Sequence, residues 1–371
     1  MMITTSATLS KLVARACKAD AVALDTEFVW ERTYYPQLGL IQMALSDEDC
    51  VLIDPIAIED LSPLGELLSD RSVVKILHDA PQDLAILYRA TGAAAQNVFD
   101  TKIAAGFANL SSSLSLCKLI KELLDIELPK TETRTNWLKR PLDPKQVQYA
   151  LDDVRYLRAV RVLLLNRIIG PQIKSWLQEE LNLLNNPKNY QENCNGERFR
   201  KIRGCGSLRK VSLAVLKELV LWREQEAKKQ DKPRGHIIKD NVLINIAKAK
   251  NLQLEQLQHG TGLSTKAYKK YGKPIIQLTQ EVLDAPEESY PVVKRATRMS
   301  SKDKITLEKL HGLIGLKCEL LGIDPALVGN SSELKSLAKV LTSSKSQQVP
   351  ELRQTEGWRR SLLEDFFQQH H

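Results

Sequence analysis

The hydrophobic pattern of this chain changes once, near residues 182–203, and this change constrains the fold more than any other feature. Before it, short apolar runs alternate with helical repeats, which is typical of an α/β domain. After it, only helical patterns are present. A chain of 371 residues has enough material for two or three cores. We therefore predict an α/β domain at 1–190, ending in a helix that leads into the linker, and two small all-helical domains at 207–286 and 290–371.

Strands are predicted in the first domain at Ala21–Phe28, Leu38–Leu45, Cys50–Ile53 and Val73–Leu77. The first three are joined by connections too short for helical crossovers, so they should pair antiparallel within a mixed sheet. Helical periodicity predicts helices at Thr8–Ala19, Leu61–Leu68, Pro81–Thr91, Thr101–Ala108, Ser115–Leu124 and Asp143–Ile168.

The second domain is predicted to contain helices at Val211–Lys229, Asp240–Ala249, Leu252–Leu257, Ser264–Lys270 and Lys273–Leu283. The third begins after Pro291, and its first helix is predicted at Lys304–Leu321. We interpret the third domain as a divergent copy of the second.

Charge and cysteine content narrow the class of protein. The net charge is +8, and residues 191–285 hold 19 basic and 10 acidic side chains. Such an excess indicates a polyanionic partner such as nucleic acid, although a solvated basic face is the alternative. None of the six cysteines lies in a CxxC pair, so neither a disulfide framework nor a zinc site is expected. Without a long apolar stretch or a signal-peptide pattern, we expect a cytoplasmic protein.

Two carboxylates interrupt the first apolar strand. Asp25 and Glu27 are two residues apart, so on a strand they point to the same side, while Thr26 and Phe28 point to the other. Like charges side by side are unfavourable unless a cation neutralises them. The alternative is an edge strand with one face in water.

Further acidic residues are predicted on helices. Asp83 falls in the first turn of the helix that Pro81 opens, where the helix dipole alone would favour it. Asp79 would be the N-cap of that helix. Tyr149 and Asp153 are four residues apart on a later helix, so they share one face, although the pair could be an ordinary surface contact.

Asp25, Glu27, Asp83, Tyr149 and Asp153 together form an oxygen-rich set. Carboxylate oxygens suit hard divalent cations such as Mg²⁺ or Mn²⁺ better than zinc. Two such ions about 4 Å apart stabilise both the attacking and the leaving oxygen of a displacement at phosphorus. The set therefore indicates hydrolysis of a phosphodiester.

The same residues lie in three motifs of a known family. Leu24-Asp25-Thr-Glu27-Phe resembles the first motif of the DEDD 3′-to-5′ exonucleases. His78-x4-Asp83 is similar to the second motif, and Tyr149-x3-Asp153 is similar to the third motif of the tyrosine subclass. The motifs occur in the family's order, and all five key positions match.

The resemblance implies a ribonuclease-H-like domain with a mixed sheet. It also implies that Asp25, Glu27, Asp83 and Asp153 hold two divalent metal ions, Mg²⁺ or Mn²⁺, and that Tyr149 orients the attacking water. One of the two ions would stabilise the leaving 3′-oxygen, so the product would be a nucleoside 5′-monophosphate.

Two further segments narrow the likeness to the ribonuclease D branch of the family. They are Tyr34-Tyr-Pro-Gln-Leu-Gly-Leu-Ile-Gln42 and Arg134-Thr-Asn-Trp137-Leu-Lys-Arg140. The helical domains likewise resemble helicase-and-ribonuclease-D C-terminal (HRDC) domains. The likeness implies RNA with 3′ extensions as the substrate, transfer RNA precursors above all. Separately, we expect a monomer.

Five residues near these motifs are weaker candidates for contact with RNA. Thr26 and Phe28 flank the carboxylates, although Phe28 could equally belong to the core. His78 could instead be a packing or hydrogen-bonding residue, and Trp137 could anchor its loop rather than stack on a base, with Arg140 nearby. Asp100 followed by Thr101 is most simply a helix cap.

Two alternatives to an exoribonuclease remain open. A DNA 3′-to-5′ exonuclease would carry the same motifs, although no polymerase or helicase region accompanies them here. The other alternative is a catalytically inactive RNA-binding protein. In such a protein at least one of the four carboxylates would normally be replaced, and all four are present here.

Overall fold

The computed structural model describes residues 1–129, 135–191, 197–249, 257, 260–293, 298–343 and 352–368. Its contacts divide the chain into two compact units. The sheet unit comprises residues 1–28, 38–191 and 299–371, and the helical unit comprises residues 29–37 and 192–298. The final segment, which we expected to be a domain of its own, is thus grouped with the sheet unit; the division into three domains stays a prediction.

The centre of the sheet unit is a six-stranded sheet. Its strands are β1 (Met2–Ile3), β2 (Ala21–Val29), β3 (Gln37–Ala44), β4 (Cys50–Ile53), β5 (Val74–Leu77) and β6 (Val98–Asp100). They lie in the order β1-β4-β3-β2-β5-β6. Three pairings, β1 with β4, β2 with β5 and β5 with β6, are parallel, and β3 with β4 is antiparallel. The predicted mixed sheet is therefore confirmed. The two unpredicted strands, β1 and β6, are only two and three residues long, too short to show an alternating pattern.

Eight helices of the sheet unit precede the linker in the described part of the chain. They are α1 (Ser6–Ala16), α2 (Ser62–Ser69), α3 (Pro81–Thr91), α4 (Thr101–Phe107), α5 (Leu116–Leu124), α6 (Pro144–Arg155), α7 (Leu157–Arg167) and α8 (Pro171–Asn182). The prediction of a single helix at Asp143–Ile168 is wrong, because the helix is interrupted at Tyr156. The break lets α7 bury Leu157, Val160 and Leu164 on a face of its own.

The helical unit contains α9 (Lys210–Lys229), α10 (Arg234–Ile237), α11 (Asp240–Lys248) and α12 (Thr265–Asp284). Helix α12 is continuous where two helices were predicted, and Pro274 lies inside it. The packing of its buried residues, including Tyr271 and Ile275, compensates for the backbone hydrogen bond that is lost at the proline. The helix predicted at Leu252–Leu257 lies, apart from Leu257, outside the described residues.

The final segment of the sheet unit forms α13 (Ser301–Leu321), α14 (Ser331–Thr342), α15 (Gly357–Leu362) and α16 (Glu364–Gln368). Trp358 joins the same apolar cluster as the sheet and lies 5.3 Å from the Phe107 ring. Arg359 donates two hydrogen bonds of 2.7 Å to the Glu180 carboxylate, and Trp358 Nε1 adds a third of 2.9 Å. These contacts hold the end of the chain on α8. None of the described helices combines the length and the apolar character that crossing a membrane requires.

Candidate active site

Strand β2 places two carboxylates at the end of an apolar run. Ala21 to Leu24 are buried, whereas Asp25 and Glu27 are partly exposed. Thr26, between them, is 5% exposed. The alternation expected of a strand therefore holds across these residues.

Three of the four predicted metal ligands converge. Asp25, Glu27 and Asp153 each offer a carboxylate oxygen, and the three oxygens lie within 4.8 Å of one another. Asp153 comes from α6, so the strand and the helix meet at this point. Such a set of hard oxygen ligands fits a divalent cation such as Mg²⁺ or Mn²⁺.

Asp83, the fourth predicted ligand, lies beside this group rather than in it. It is 8% exposed in the first turn of α3 and accepts a hydrogen bond from the Thr26 hydroxyl. Its charge raises the pKa of Asp25, Glu27 and Asp153. All four carboxylates therefore share one electrostatic environment.

The pKa values of these carboxyls are all raised. Burial, and then the repulsion of neighbouring carboxylates, raises the pKa of Glu27 to about 9 and that of Asp25 well above its usual range. Burial is also the largest cause for Asp83 and Asp153, each with a pKa of about 7. Hydrogen bonds from Thr26 and Tyr149 to these two aspartates act in the opposite direction. A bound cation would relieve this repulsion, as at many functional sites.

Tyr149 projects toward the same point as Asp153. The phenol hydrogen-bonds to the Asp153 carboxylate, as their spacing on one helix allows. Burial and the nearby carboxylates raise the pKa of Tyr149 well above its usual range. The phenol therefore stays protonated at neutral pH and acts as a hydrogen-bond donor.

The loop before α3 is held by a residue outside the three motifs. Asp100 accepts hydrogen bonds from the backbone N–H groups of Asp79 at 3.1 Å, Ala80 at 2.9 Å and Lys102 at 2.8 Å. Its predicted role as the cap of α4 is confirmed. The predicted N-cap role of Asp79 is wrong, because Asp79 adopts a left-handed backbone (φ 63°) and pairs with Lys102 at 2.6 Å, leaving Ala80 at the cap position.

His78 has both ring nitrogens engaged. Nδ1 lies 2.9 Å from the Thr101 hydroxyl, and Nε2 lies 3.1 Å from the Leu114 carbonyl oxygen. Burial lowers the pKa of His78 to about 4, so the ring is neutral near pH 7. These contacts give His78 a local hydrogen-bonding role, and its predicted contact with RNA stays a prediction.

Trp137 and Arg140 hold their own loop. Trp137 is 2% exposed, and its ring centroid lies 6.2 Å from that of Tyr149. A side chain at Gly39 would approach the Trp137 carbonyl oxygen to 2.7 Å, so only glycine fits there. Arg140 donates to both oxygens of Asp54, at 2.7 and 2.8 Å, and to the carbonyl oxygens of Gly39 and Trp137. The anchoring alternative therefore has direct support, and Arg134 of the same motif lies outside the described residues.

Sequence reasoning missed two of these residues as contributors to the site. Asp54 fixes Arg140, and Asp100 fixes the loop into α3. Asp54 directly follows the short apolar strand β4, and Asp100 is the last residue of β6. Their position at a strand end is the sequence signal that could have identified them.

Thr26 was predicted to contact RNA, yet its buried hydroxyl orients Asp83. Phe28 is partly exposed beside the carboxylates, and contacts of Thr26 and Phe28 with RNA stay predictions.

Comparison with known proteins gives consistent matches. A 3′-5′ exonuclease family model matches residues 1–169, and an HRDC domain model matches residues 212–279. Ribonuclease D of Desulfotalea psychrophila is 55% identical, over 100% of this chain and 98% of the relative. Ribonuclease D of Pseudomonas paraeruginosa is 34% identical, over 92% and 89%. The crystal structure of Escherichia coli RNase D, an exoribonuclease involved in structured RNA processing, matches with a TM-score of 0.87 and 30% identity, over 100% and 98% of the two chains.

Proposed function

This chain belongs to the ribonuclease D family of 3′-to-5′ exoribonucleases, and from that premise we propose that the carboxylate cluster on β2, α3 and α6 is its active site. The enzyme combines a ribonuclease-H-like exonuclease domain with a helical HRDC domain. Asp25, Glu27, Asp83 and Asp153 would hold two divalent cations, Mg²⁺ or Mn²⁺. Tyr149 would complete the catalytic set.

The observation that carries this proposal is the convergence of three carboxylates. The oxygens of Asp25, Glu27 and Asp153 lie within 4.8 Å of one another, and their pKa values are raised by burial and by each other's charge. A protein gains no stability from such an arrangement alone. The cluster is therefore best explained by a cation-binding role.

The chain's own residues would position the reactants. When bound, the cations supply the positive charge that favours attack by water and departure of the 3′-oxygen. Asp153 accepts the hydrogen bond of Tyr149 and so fixes the direction of the phenol. The protonated phenol would orient the attacking water, and Thr26 would hold Asp83 in place. The products would be a nucleoside 5′-monophosphate and an RNA shortened by one residue.

For the substrate, we propose RNA with a 3′ extension, in particular transfer RNA precursors. The support is the involvement of the Escherichia coli relative in structured RNA processing and the basic excess of residues 191–285. That excess would attract RNA phosphates. We further propose a monomer in the cytoplasm, with domains at 1–190, 207–286 and 290–371.

End-labelled RNA with a 3′ extension tests this proposal. Incubated with Mg²⁺ or Mn²⁺, the protein should release nucleoside 5′-monophosphates one at a time, and Asp25→Asn should abolish the release while circular dichroism stays unchanged. Matched DNA serves as the comparison. Equal turnover of DNA would favour the DNA exonuclease alternative, and RNA binding without release would favour the inactive binder.

A further inference from the structure

The segment Val29–Gln37 connects the strand that carries Asp25 and Glu27 to the next strand of the sheet. By its contacts this segment belongs to the helical unit. Its first residue is only two positions after Glu27. We call Val29–Gln37 the strap.

The strap is anchored by Tyr34, which lies in a socket made by α9 and α10. Tyr34 is 4% exposed, and its hydroxyl donates to the Glu224 carboxylate. Arg234 donates to both Glu224 oxygens, at 2.6 and 2.7 Å, and to the Tyr34 oxygen at 2.9 Å. The Arg234 guanidinium also lies 4.6 Å from the centroid of the Tyr34 ring. A tyrosine is therefore recognised here through both its ring and its hydroxyl.

The backbone of the strap is held as well. The Asp231 carboxylate accepts hydrogen bonds from the N–H groups of Tyr34 at 3.0 Å and Tyr35 at 3.4 Å. Within the strap, Trp30 Nε1 donates to the Tyr34 carbonyl oxygen at 3.1 Å. Backbone and side-chain contacts thus fix the same residue.

The pairing of β2 with β5 covers only the first part of β2. It runs from Ala21 opposite Val74 to Ala23 opposite Ile76. Asp25 and Glu27 lie beyond these pairs, so this ladder does not fix them directly. Beyond these pairs β2 continues to Val29 beside β3, its other neighbour in the sheet, and the strap joins these two strands. The conformation of the strap therefore contributes to where the end of β2, and with it the Glu27 carboxylate, lies.

We infer that Tyr34 is a positioning residue for the active site, because its socket of Glu224, Asp231 and Arg234 fixes the strap and thereby the end of β2 that carries Glu27. The inference rests on the proposed function of the carboxylate cluster. A displacement of about 1 Å in a catalytic group is enough to cost a large factor in rate. The helical domain would then serve the chemical step as well as substrate capture.

The test compares two tyrosine-to-phenylalanine variants of the full-length protein. Tyr34→Phe removes the hydroxyl from the socket. Tyr290→Phe is the matched control, because it removes a buried hydroxyl in the same unit that donates to the Val282 carbonyl oxygen at 2.9 Å. On a short oligonucleotide, Tyr34→Phe should lower kcat by about tenfold with KM within about twofold, whereas Tyr290→Phe should leave both unchanged.

Two measurements do not depend on activity. Calorimetric titration with Mn²⁺ should show weaker binding to Tyr34→Phe by several-fold, and amide hydrogen exchange should accelerate across residues 28–36. Tyr34→Ala should enlarge both effects. If Tyr34→Phe and Tyr34→Ala both keep the wild-type kcat and Mn²⁺ affinity, or if only KM for long RNA rises, the inference is overturned. An inactive wild-type protein would instead count against the proposed function.

Discussion

Partly or fully buried carboxylates of the sheet unit are held in two opposite environments. Glu180 accepts three hydrogen bonds from Arg359 and Trp358, and these lower its pKa although burial alone would raise it. Asp25, Glu27 and Asp153 face one another, and their pKa values are raised by burial and by mutual repulsion. The first arrangement is compatible with the folded protein alone. The second becomes favourable only with a cation.

The difference separates an acid with a structural role from acids that we propose to bind metal. A buried ion pair with its hydrogen bonds satisfied holds two segments together, as Glu180 and Arg359 hold α8 to α15. A group of carboxylates without a cation raises the free energy of the folded state, and such groups concentrate at active sites. The cause of the pKa shift, hydrogen-bonded pairing for Glu180 and mutual repulsion for the cluster, therefore distinguishes these two sites.

The largest expected effect is on turnover, and it should separate two neighbouring aspartates on α6. Asp153→Asn should lower exonuclease turnover at least about 10³-fold, roughly 4 kcal/mol in activation free energy, because a cation ligand is lost. Asp152, which accepts hydrogen bonds from Gln148 at 2.9 Å and from Arg155 at 3.3 Å, is the control. Asp152→Asn should stay within about twofold of wild type. Equal losses in both variants would remove the distinction between them.

The structural pair predicts a loss of stability instead. Arg359→Met leaves Glu180 buried without its partner, and the free energy of unfolding in urea should fall by about 3 kcal/mol. Arg360, at 3.9 Å from Glu364 and exposed, is the matched control. Arg360→Met should change stability by less than about 0.5 kcal/mol. A small effect of Arg359→Met would mean that the buried pair contributes little.

Short-range patterns predicted the carboxylate cluster better than they predicted the contacts between distant parts of the chain. The alternation around Asp25 and Glu27 and the four-residue spacing of Tyr149 and Asp153 follow from strand and helix geometry alone. The pairing of Glu180 with Arg359 joins residues 179 positions apart, and no local pattern encodes it.

Local patterns also fail to encode the other long-range contacts that the sequence analysis did not predict. Strand alternation correctly placed Thr26 on the face opposite Asp25 and Glu27. It could not show that α3 packs on that face, where Asp83 accepts a hydrogen bond from the Thr26 hydroxyl. The contacts that group residues 299–371 with the sheet unit are equally long-range.

Tyr149→Phe should have an intermediate effect on the functional cluster. The variant keeps the ring beside Trp137 but loses the hydroxyl that bonds to Asp153. Turnover should fall by about 10- to 100-fold, as expected for one positioned hydrogen bond. Calorimetric titration should show unchanged Mn²⁺ affinity, because the phenol is not a ligand. A parallel loss of Mn²⁺ affinity would argue that Tyr149 shapes the metal site itself.

The smallest effect concerns stability without metal. The pKa values of Glu27, Asp83 and Asp153 are higher in the folded than in the unfolded state, so folding favours their protonated forms. In a chelator, stability should be greatest below about pH 4 with respect to these groups, and this contribution should be lost as pH rises through about 7 to 9. Asp25→Asn should raise the metal-free Tm at pH 8 by roughly 2–4 °C. A metal-free Tm that falls in Asp25→Asn would contradict mutual repulsion.

Calorimetric titration of the full-length protein with Mn²⁺ at pH 6 and pH 8 tests the central claim most directly. If the carboxyl groups with raised pKa values form the metal site, two cations should bind per chain. Binding should be tighter at pH 8 and should release protons to the buffer. Asp25→Asn and Asp153→Asn should each remove most of this binding, whereas Asp152→Asn should retain it. Binding of equal strength at both pH values, or undiminished binding in Asp25→Asn and Asp153→Asn, would contradict the account.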